Sequence, residues 1–251
     1  MQIRRLAVAA VAALTFTAAL AADKKPETKS PPAPAWVERS NANAQVLLKT
    51  LAQFNPEFAS FTGFPGYDEK TVDLKAGISQ RSRAAFEAAR SELQKKLDTE
   101  KDANVQQDLH ILIAAATRRI DDSTINEKYL LPYFDVGQTI FQGEFTLLQD
   151  QTAADRRAHA LARLKCYVGQ GPGCTPLAKD AEARFEEKMS DKNLLGPYKA
   201  EVEQHLSNTG RYVEGIRKLY EKYKIAGADA TLAELQKQLD GAYARWQALE
   251  G

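Results

Sequence analysis

From Trp36 onward, apolar residues return every three or four positions almost everywhere and every second position almost nowhere. That is the period of amphipathic helices, so the pattern predicts an all-α fold, a multi-helix, bundle-like array. Val37, Ala44, Leu47, Leu48 and Leu51 form a first stripe. Asn55-Pro56-Glu57 then offers a cap, a proline suited to a first turn and an acid that complements the helix dipole, which predicts a short second helix ended by Gly63, Pro65 and Gly66. After a loop to Ser79, one face carries Phe86, Ala89, Leu93 and Leu97. The next carries Val105, Leu109, Leu112, Ala116 and Ile120 on a helix of about 25 residues. Shorter stripes follow at Leu161, Leu164 and Val168, and at Leu177, Ala181, Phe185 and Met189. Pro197 opens a long helix through Tyr198, Val202, Leu206, Thr209, Val213, Ile216, Tyr220 and Tyr223. Leu232, Leu235, Leu239, Ala242, Trp246 and Leu249 make a final amphipathic helix with no segment after it to cover the stripe. There is no convincing internal repeat.

The segment KYLLPYFDVGQTIFQGEFTLLQD, residues 128–150, gathers many aromatic and aliphatic side chains in a stretch broken by Pro132, Gly137 and Gly143. A helix beginning after Pro132 places Phe134, Gly137, Phe141, Phe145 and Leu148 on one face, which reads as core. Each of its two glycines costs about 1 kcal/mol relative to alanine inside a helix, so they mark a close approach, read here as that of another helix.

The N-terminus changes the picture of where the chain works. Arg4 and Arg5 precede the apolar run LAVAAVAALTFTAALA, and Ala19-Leu20-Ala21 has the small-x-small form of a signal peptidase site, predicting a cut between Ala21 and Ala22. The expected product is periplasmic or secreted, with no membrane attachment once residues 1–21 are removed. Residues 22–35, ADKKPETKSPPAPA, are polar and proline-rich and predict a disordered linker to a single helical domain over 36–251. Cleavage takes away two arginines and no acid, turning a formal charge of +1 into −1. Basic residues elsewhere alternate with acids, as in AEARFEEKMSDK, so no basic stripe for nucleic acid is expected.

Candidate chemistry is sparse. His110, His159 and His205 are the only histidines, and no HExxH, phosphate loop or GxSxG elbow occurs. Glu201 and His205 are four apart and could share a helix face, but two ligands do not make a metal site. Asp121-Asp122 and Glu186-Glu187 are adjacent and diverge on a helix. Tyr67-Asp68, in the loop FTGFPGYDEK, is the most site-like element, with a turn or capping role as the plainer alternative. Cys166 and Cys174 flank YVGQGPG, whose glycines and proline let the chain turn back, so a local disulfide fits an oxidising compartment.

Three strings, NPEFASFTGFPGYDEKTVDL, the segment from Tyr129 to Gly169 and GPYKAEVEQHLSNTGRYVEGIRKLYEKY, resemble in order the domain of unknown function 885 (DUF885) family. The resemblance covers about residues 36–250 and implies an α-helical, often exported protein. Full members are about twice this length and are regarded as zinc metallopeptidases, with the metal on a HExxPGH-type helix in the second half. No catalytic or metal-binding residue carries over to this chain, and zinc is implied only for a full-length member. Pro56, Thr62, Gly63, Tyr67 and Asp68 match the early signature; Pro132, Asp135 and Phe141 match the middle one. The expectation is a non-catalytic domain equivalent to the N-terminal half of such a protein, a truncated form, with an independent helical module binding a peptide or partner protein as the alternative. An uncovered final stripe would further imply self-association or a helical partner through residues 231–249.

Overall fold

The computed structural model describes residues 34–249, and among them all extended secondary structure is helical. The predicted signal cleavage at Ala21 and Ala22, and most of the predicted linker, lie outside the described residues. The helices are α1 (Ala35–Phe54), α2 (Pro56–Phe61), α3 (Ile78–Leu97), α4 (Ala103–Tyr129), α5 (Val136–Leu147), α6 (Ala154–Arg157), α7 (Ala160–Tyr167), α8 (Leu177–Glu186), α9 (Lys199–Lys222) and α10 (Asp229–Leu249). Among the described residues strand-like pairing is limited to single bridges between Leu130 and Leu195 and between Val168 and Pro176.

Two apolar cores organise these helices. The first joins α1, α3 and α4 through Leu47, Phe86, Leu93, Val105, Leu109, Ala116 and Ile120. The second gathers α5 and α7 to α10 around residues such as Ile140, Leu164, Phe185, Val213, Ile216 and Leu239. Removing each such side chain from water contributes about 1.5–3 kcal/mol, so the period-3.6 stripes fix which helix faces turn inward. The final stripe is not uncovered. Leu232, Leu235, Leu239 and Trp246 are at most 1% exposed because α7, α8 and α9 pack over them. These four stripe positions face the interior of the chain.

Several sequence expectations shift in register. Leu48 is 42% exposed: α1 packs against α2, α3 and α4, and the inner face of its long body is set by Ser40, Asn43, Leu47 and Ala52. Asn55 does not cap α2 with its side chain; its amide donates to the Leu51 carbonyl at 3.2 Å and so closes α1. Helix α5 starts at Val136, later than Pro132 suggests. The intervening Leu131 donates its N–H to Leu195, Tyr133 turns back onto the Leu131 carbonyl, and Asp135 caps the helix through the Gln138 N–H. Its buried face is therefore Val136, Gly137, Ile140, Gly143, Glu144 and Leu147, while Phe145 stays 42% exposed. The two glycines do mark close approach, but of tyrosines. A Cβ on Gly137 would lie 2.9 Å from the Tyr212 ring, and one on Gly143 would overlap the Tyr167 hydroxyl.

A buried polar network runs through the second core. Arg163 on α7 is fully buried and donates to the Gly143 carbonyl and the Tyr67 carbonyl, both at 2.9 Å. Tyr167 donates to Glu57 Oε1 at 2.9 Å, which also accepts the Val72 N–H at 2.8 Å. Tyr220 on α9 donates to Glu144 Oε2 at 2.9 Å. Burial drives the Glu144 carboxyl up to about 8, against the opposing pull of Arg163 and the Tyr220 hydrogen bond. Such groups are costly to bury unless partnered, so the network fixes the relative placement of α2, α5, α7 and α9. Cys166 and Cys174 form a disulfide that closes the turn after α7.

Gly143→Ala should destabilise the protein by about 1–3 kcal/mol in urea unfolding, because the Tyr167 hydroxyl must move and loses Glu57. Gly210→Ala, in an α9 position where a Cβ meets nothing within 4 Å, should stabilise it by about 0.5–1 kcal/mol. Glu144 predicts a pH dependence. Its folded value lies above the ordinary 4.5, so the folded state keeps a proton that the unfolded chain has released. The contribution is fully present below about 4.5 and is lost as pH rises through about 8. Between those limits stability should fall with pH, on the order of 1 kcal/mol per unit from this group, and Glu144→Gln should remove that slope.

Candidate functional site

A cleft of about 630 Å³ opens where the two cores meet. Phe54 and Phe86 line it from the first core, and Val72, Leu74, Tyr133 and Phe134 from the side of the second. Its rim is charged with both signs. Asp122, Arg119 and Glu127 come from α4, and Arg184, Glu187 and Lys188 from α8 and the residues after it. Ion pairs join Asp73 to Arg81 and Arg184 to Glu187 at 2.6 Å, and Glu127 to Arg83. Arg119, Asp122 and Lys188 stand outside these pairs, leaving charge that a ligand can meet.

Two walls of the cleft are irregular chain held from behind. One is residues 130–134, where reciprocal bonds from Leu131 N–H to the Leu195 carbonyl and from Leu195 N–H to the Tyr129 carbonyl keep the backbone extended. Pro132 belongs to this wall. The other is the end of the long loop between α2 and α3, residues 72–77. Its start is anchored by Asp68, which takes two hydrogen bonds from Arg156, at 2.9 and 2.7 Å, and one from Ser60 at 2.7 Å. Burial works to raise the Asp68 carboxyl, and the Arg156 and Ser60 hydrogen bonds with the Arg156 charge outweigh it, holding it below the usual carboxylate range. The adjacent Tyr67 carbonyl receives Arg163.

The signature positions thus fall into separate groups. Pro56 begins α2 and is buried, and Thr62 and Gly63 end it, the Thr62 hydroxyl on the Ala59 carbonyl and Gly63 at φ 77°. With Tyr67 and Asp68 they form the anchored start of the cleft-wall loop. Phe141 lies half-buried on α5 against Tyr212, ring centroids 5.7 Å apart. Asp135 sits behind the 130–134 wall. Its Oδ1 accepts the Gln138 N–H at 3.0 Å and the Tyr243 hydroxyl at 2.5 Å, and its Oδ2 is 3.3 Å from His205 Nε2. The Tyr133 hydroxyl lies 2.6 Å from His205 Nδ1.

The three histidines do not converge. His110 is exposed on α4, His159 contacts Glu69 at 2.6 Å, and His205 joins Asp135 and Tyr133. Glu201, its helical neighbour at four residues, is exposed. Among the described residues no group of three or more His, Cys, Asp or Glu side chains could hold a metal ion. The residues that sequence reasoning missed are Tyr133, Arg156, Arg163 and Glu144. Only Glu144 carried a signal, as a lone acid within the apolar run IFQGEFTLL.

No curated protein and no solved structure matches the chain. A family model does match, over residues 56–249, and its description is a bacterial protein of unknown function. The match begins at the buried Pro56, runs through both anchored cleft walls and ends with α10, so it takes in the whole second core and most of the first. This helical chain belongs to the DUF885 family.

Proposed function

We propose that the helical domain of this DUF885 protein is an exported binding scaffold, the counterpart of the non-catalytic N-terminal half of a metallopeptidase-like protein, and that it receives a peptide in the cleft between its two cores. The observation that carries this reading is the cleft itself. Its volume of about 630 Å³ falls in the range of ligand pockets, and its floor is aromatic and aliphatic while its rim carries Arg119, Asp122 and Lys188, which no ion pair among the described residues engages. That combination suits a short peptide, whose apolar side chains seek the floor and whose ends and charged side chains meet the rim. The 130–134 wall and the Asp68–Arg156 anchor support the reading because walls held before binding spare the ordering cost of association. The 251 residues contain no HExxH, so zinc peptidase chemistry is not assigned to them.

A second reading, docking of a partner protein, draws support from the exposed apolar residues beside the cleft mouth. Ile125, Tyr129 and Leu130 end α4, and Leu195 and Tyr198 lead into α9, with exposures from 44% to 82%.

Fluorescein-labelled decapeptides containing Leu, Phe, one Lys and one Glu should bind the purified domain saturably in an anisotropy titration. Asn126→Trp, which fills the cleft from an exposed position on α4, should weaken binding at least about tenfold, whereas Leu195→Ser should not. Loss on Leu195→Ser with full binding by Asn126→Trp would favour the partner surface, and no saturable binding to any peptide would remove the cleft reading. Asp68→Ala should destabilise the fold by about 2 kcal/mol and also weaken peptide binding, since Arg156 loses its partner and the loop wall its anchor.

A further inference from the structure

Charge is not spread evenly over the cleft lining. On the α8 side stand Arg184 and, one helical turn further on, Lys188, whose N–H still reaches the Phe185 carbonyl. Arg184 is the fixed member of this pair. Its side chain is 14% exposed, its Nη1 donates to the Leu74 carbonyl of the loop wall at 3.3 Å, and its Nη2 donates to Glu187 Oε1 at 2.6 Å. Its Nε–H is buried and has no hydrogen-bond partner among the described residues, so the guanidinium is held in place with donors in reserve. The carboxylate it now holds is a loose one, because Glu187 is 49% exposed and such pairs exchange readily. Asp73 and Glu127, which also line the cleft, are taken by Arg81 and Arg83. The rim charges that no ion pair among the described residues engages are Arg119, Lys188 and the acid Asp122, so the balance favours an anion.

From this arrangement we propose that Arg184 determines which peptides the cleft accepts: it binds a peptide carboxylate, with Lys188 as the second cation and Glu187 as the internal carboxylate that the ligand displaces. The inference rests on the peptide reading above and narrows it to peptides that bring a carboxylate, on a C-terminus or on an Asp or Glu side chain, to the α8 side. Arginine suits the task because its planar fork matches the two oxygens of a carboxylate. A guanidinium already fastened to the Leu74 carbonyl also gives up little freedom when it binds. Leu74 lines the cleft itself, so the anion is received where the cation meets an apolar wall, and an apolar residue of the same peptide has a place beside it.

The Arg184 Nε–H resonance, assigned by its loss in Arg184→Lys, reports the arrival of a carboxylate without relying on peptide binding. N-acetylphenylalanine should shift it saturably in the wild-type protein, and N-acetylphenylalaninamide, which has the same body and no carboxylate, should not. Glu187→Gln, at an exposed position, should tighten N-acetylphenylalanine by at least about threefold because the internal competitor is gone. Among fluorescein-labelled decapeptides, a loss of about tenfold on amidating the C-terminus assigns the carboxylate to the chain end, and the same loss on replacing the peptide's Glu by Gln assigns it to a side chain. An Arg184 signal that ignores N-acetylphenylalanine, or responds equally to the amide, would overturn the inference and leave the peptide reading standing wherever decapeptides still bind. A carboxylate-specific response without binding of any decapeptide would keep the Arg184 site and remove the peptide as its ligand. Unchanged affinity in Glu187→Gln would overturn the displacement of Glu187.

Discussion

The Arg163 guanidinium is the tie on which the second core and the cleft wall both depend. It leaves α7 in the interior and reaches two backbone carbonyls that belong to different parts of the chain, Gly143 in the middle of α5 and Tyr67 in the long loop. A buried cation is tolerated only where hydrogen bonds and opposite charge replace water. Arg163 therefore dictates that α5 expose a carbonyl to it, that Gly143 be small enough for Tyr167 to pass, and that the loop arrive where Tyr67 can accept. Glu57 completes the arrangement from α2 by holding both Tyr167 and the Val72 N–H. The apolar stripes bring the helices together; this network selects one register for them.

That constraint reaches the cleft through short covalent distances. Val72 and Leu74 line it, and the same loop is fastened at Tyr67 by Arg163, at Asp68 by Arg156 and at Val72 by Glu57. On the opposite wall, the 130–134 segment is held by Leu195 in front of α9 and by Asp135 at the head of α5. The cleft is thus bounded by irregular chain whose position is set by side chains outside it, an arrangement that gives a binding surface without asking the helices themselves to bend. Functional groups commonly sit on such scaffold-held loops. The backbone turn that places Tyr133 in this wall is the one that delays the start of α5.

The sequence carried the helical architecture because periodic burial is a local signal. Val105, Leu109, Ala116 and Ile120 on α4, and Leu232, Leu235, Leu239 and Trp246 on α10, are buried as their spacing requires, and Cys166 pairs with Cys174 across its glycine turn. What covers a stripe is not local, so the covering of α10 by α7, α8 and α9 was illegible in its own residues. The start of α5 was misplaced for a similar reason: Pro132 is a strong local stop, but a backbone bridge to Leu195, 65 positions from Leu130, decides where the chain re-enters a helix. The site residues were the least visible. Arg156 and Arg163 lie in ADRRAHALARLK, whose spacing brings out only the stripe of Leu161 and Leu164, and Tyr133 and His205 are 72 residues apart. Spacing along α9 pointed from His205 to Glu201, while the fold turns the imidazole toward Asp135.

Hydrogen exchange on Arg163→Met tests most directly whether the buried guanidinium sets the cleft wall. The substitution keeps the length and apolar body of the side chain and removes both carbonyl contacts. The account predicts that the Val72 amide, protected in the wild type by Glu57, exchanges at least about tenfold faster in the variant, while Leu109 to Ala116 in the first core keep their protection. Wild-type protection of Val72 in a folded Arg163→Met protein would contradict it, because the loop would then hold its place without the tie.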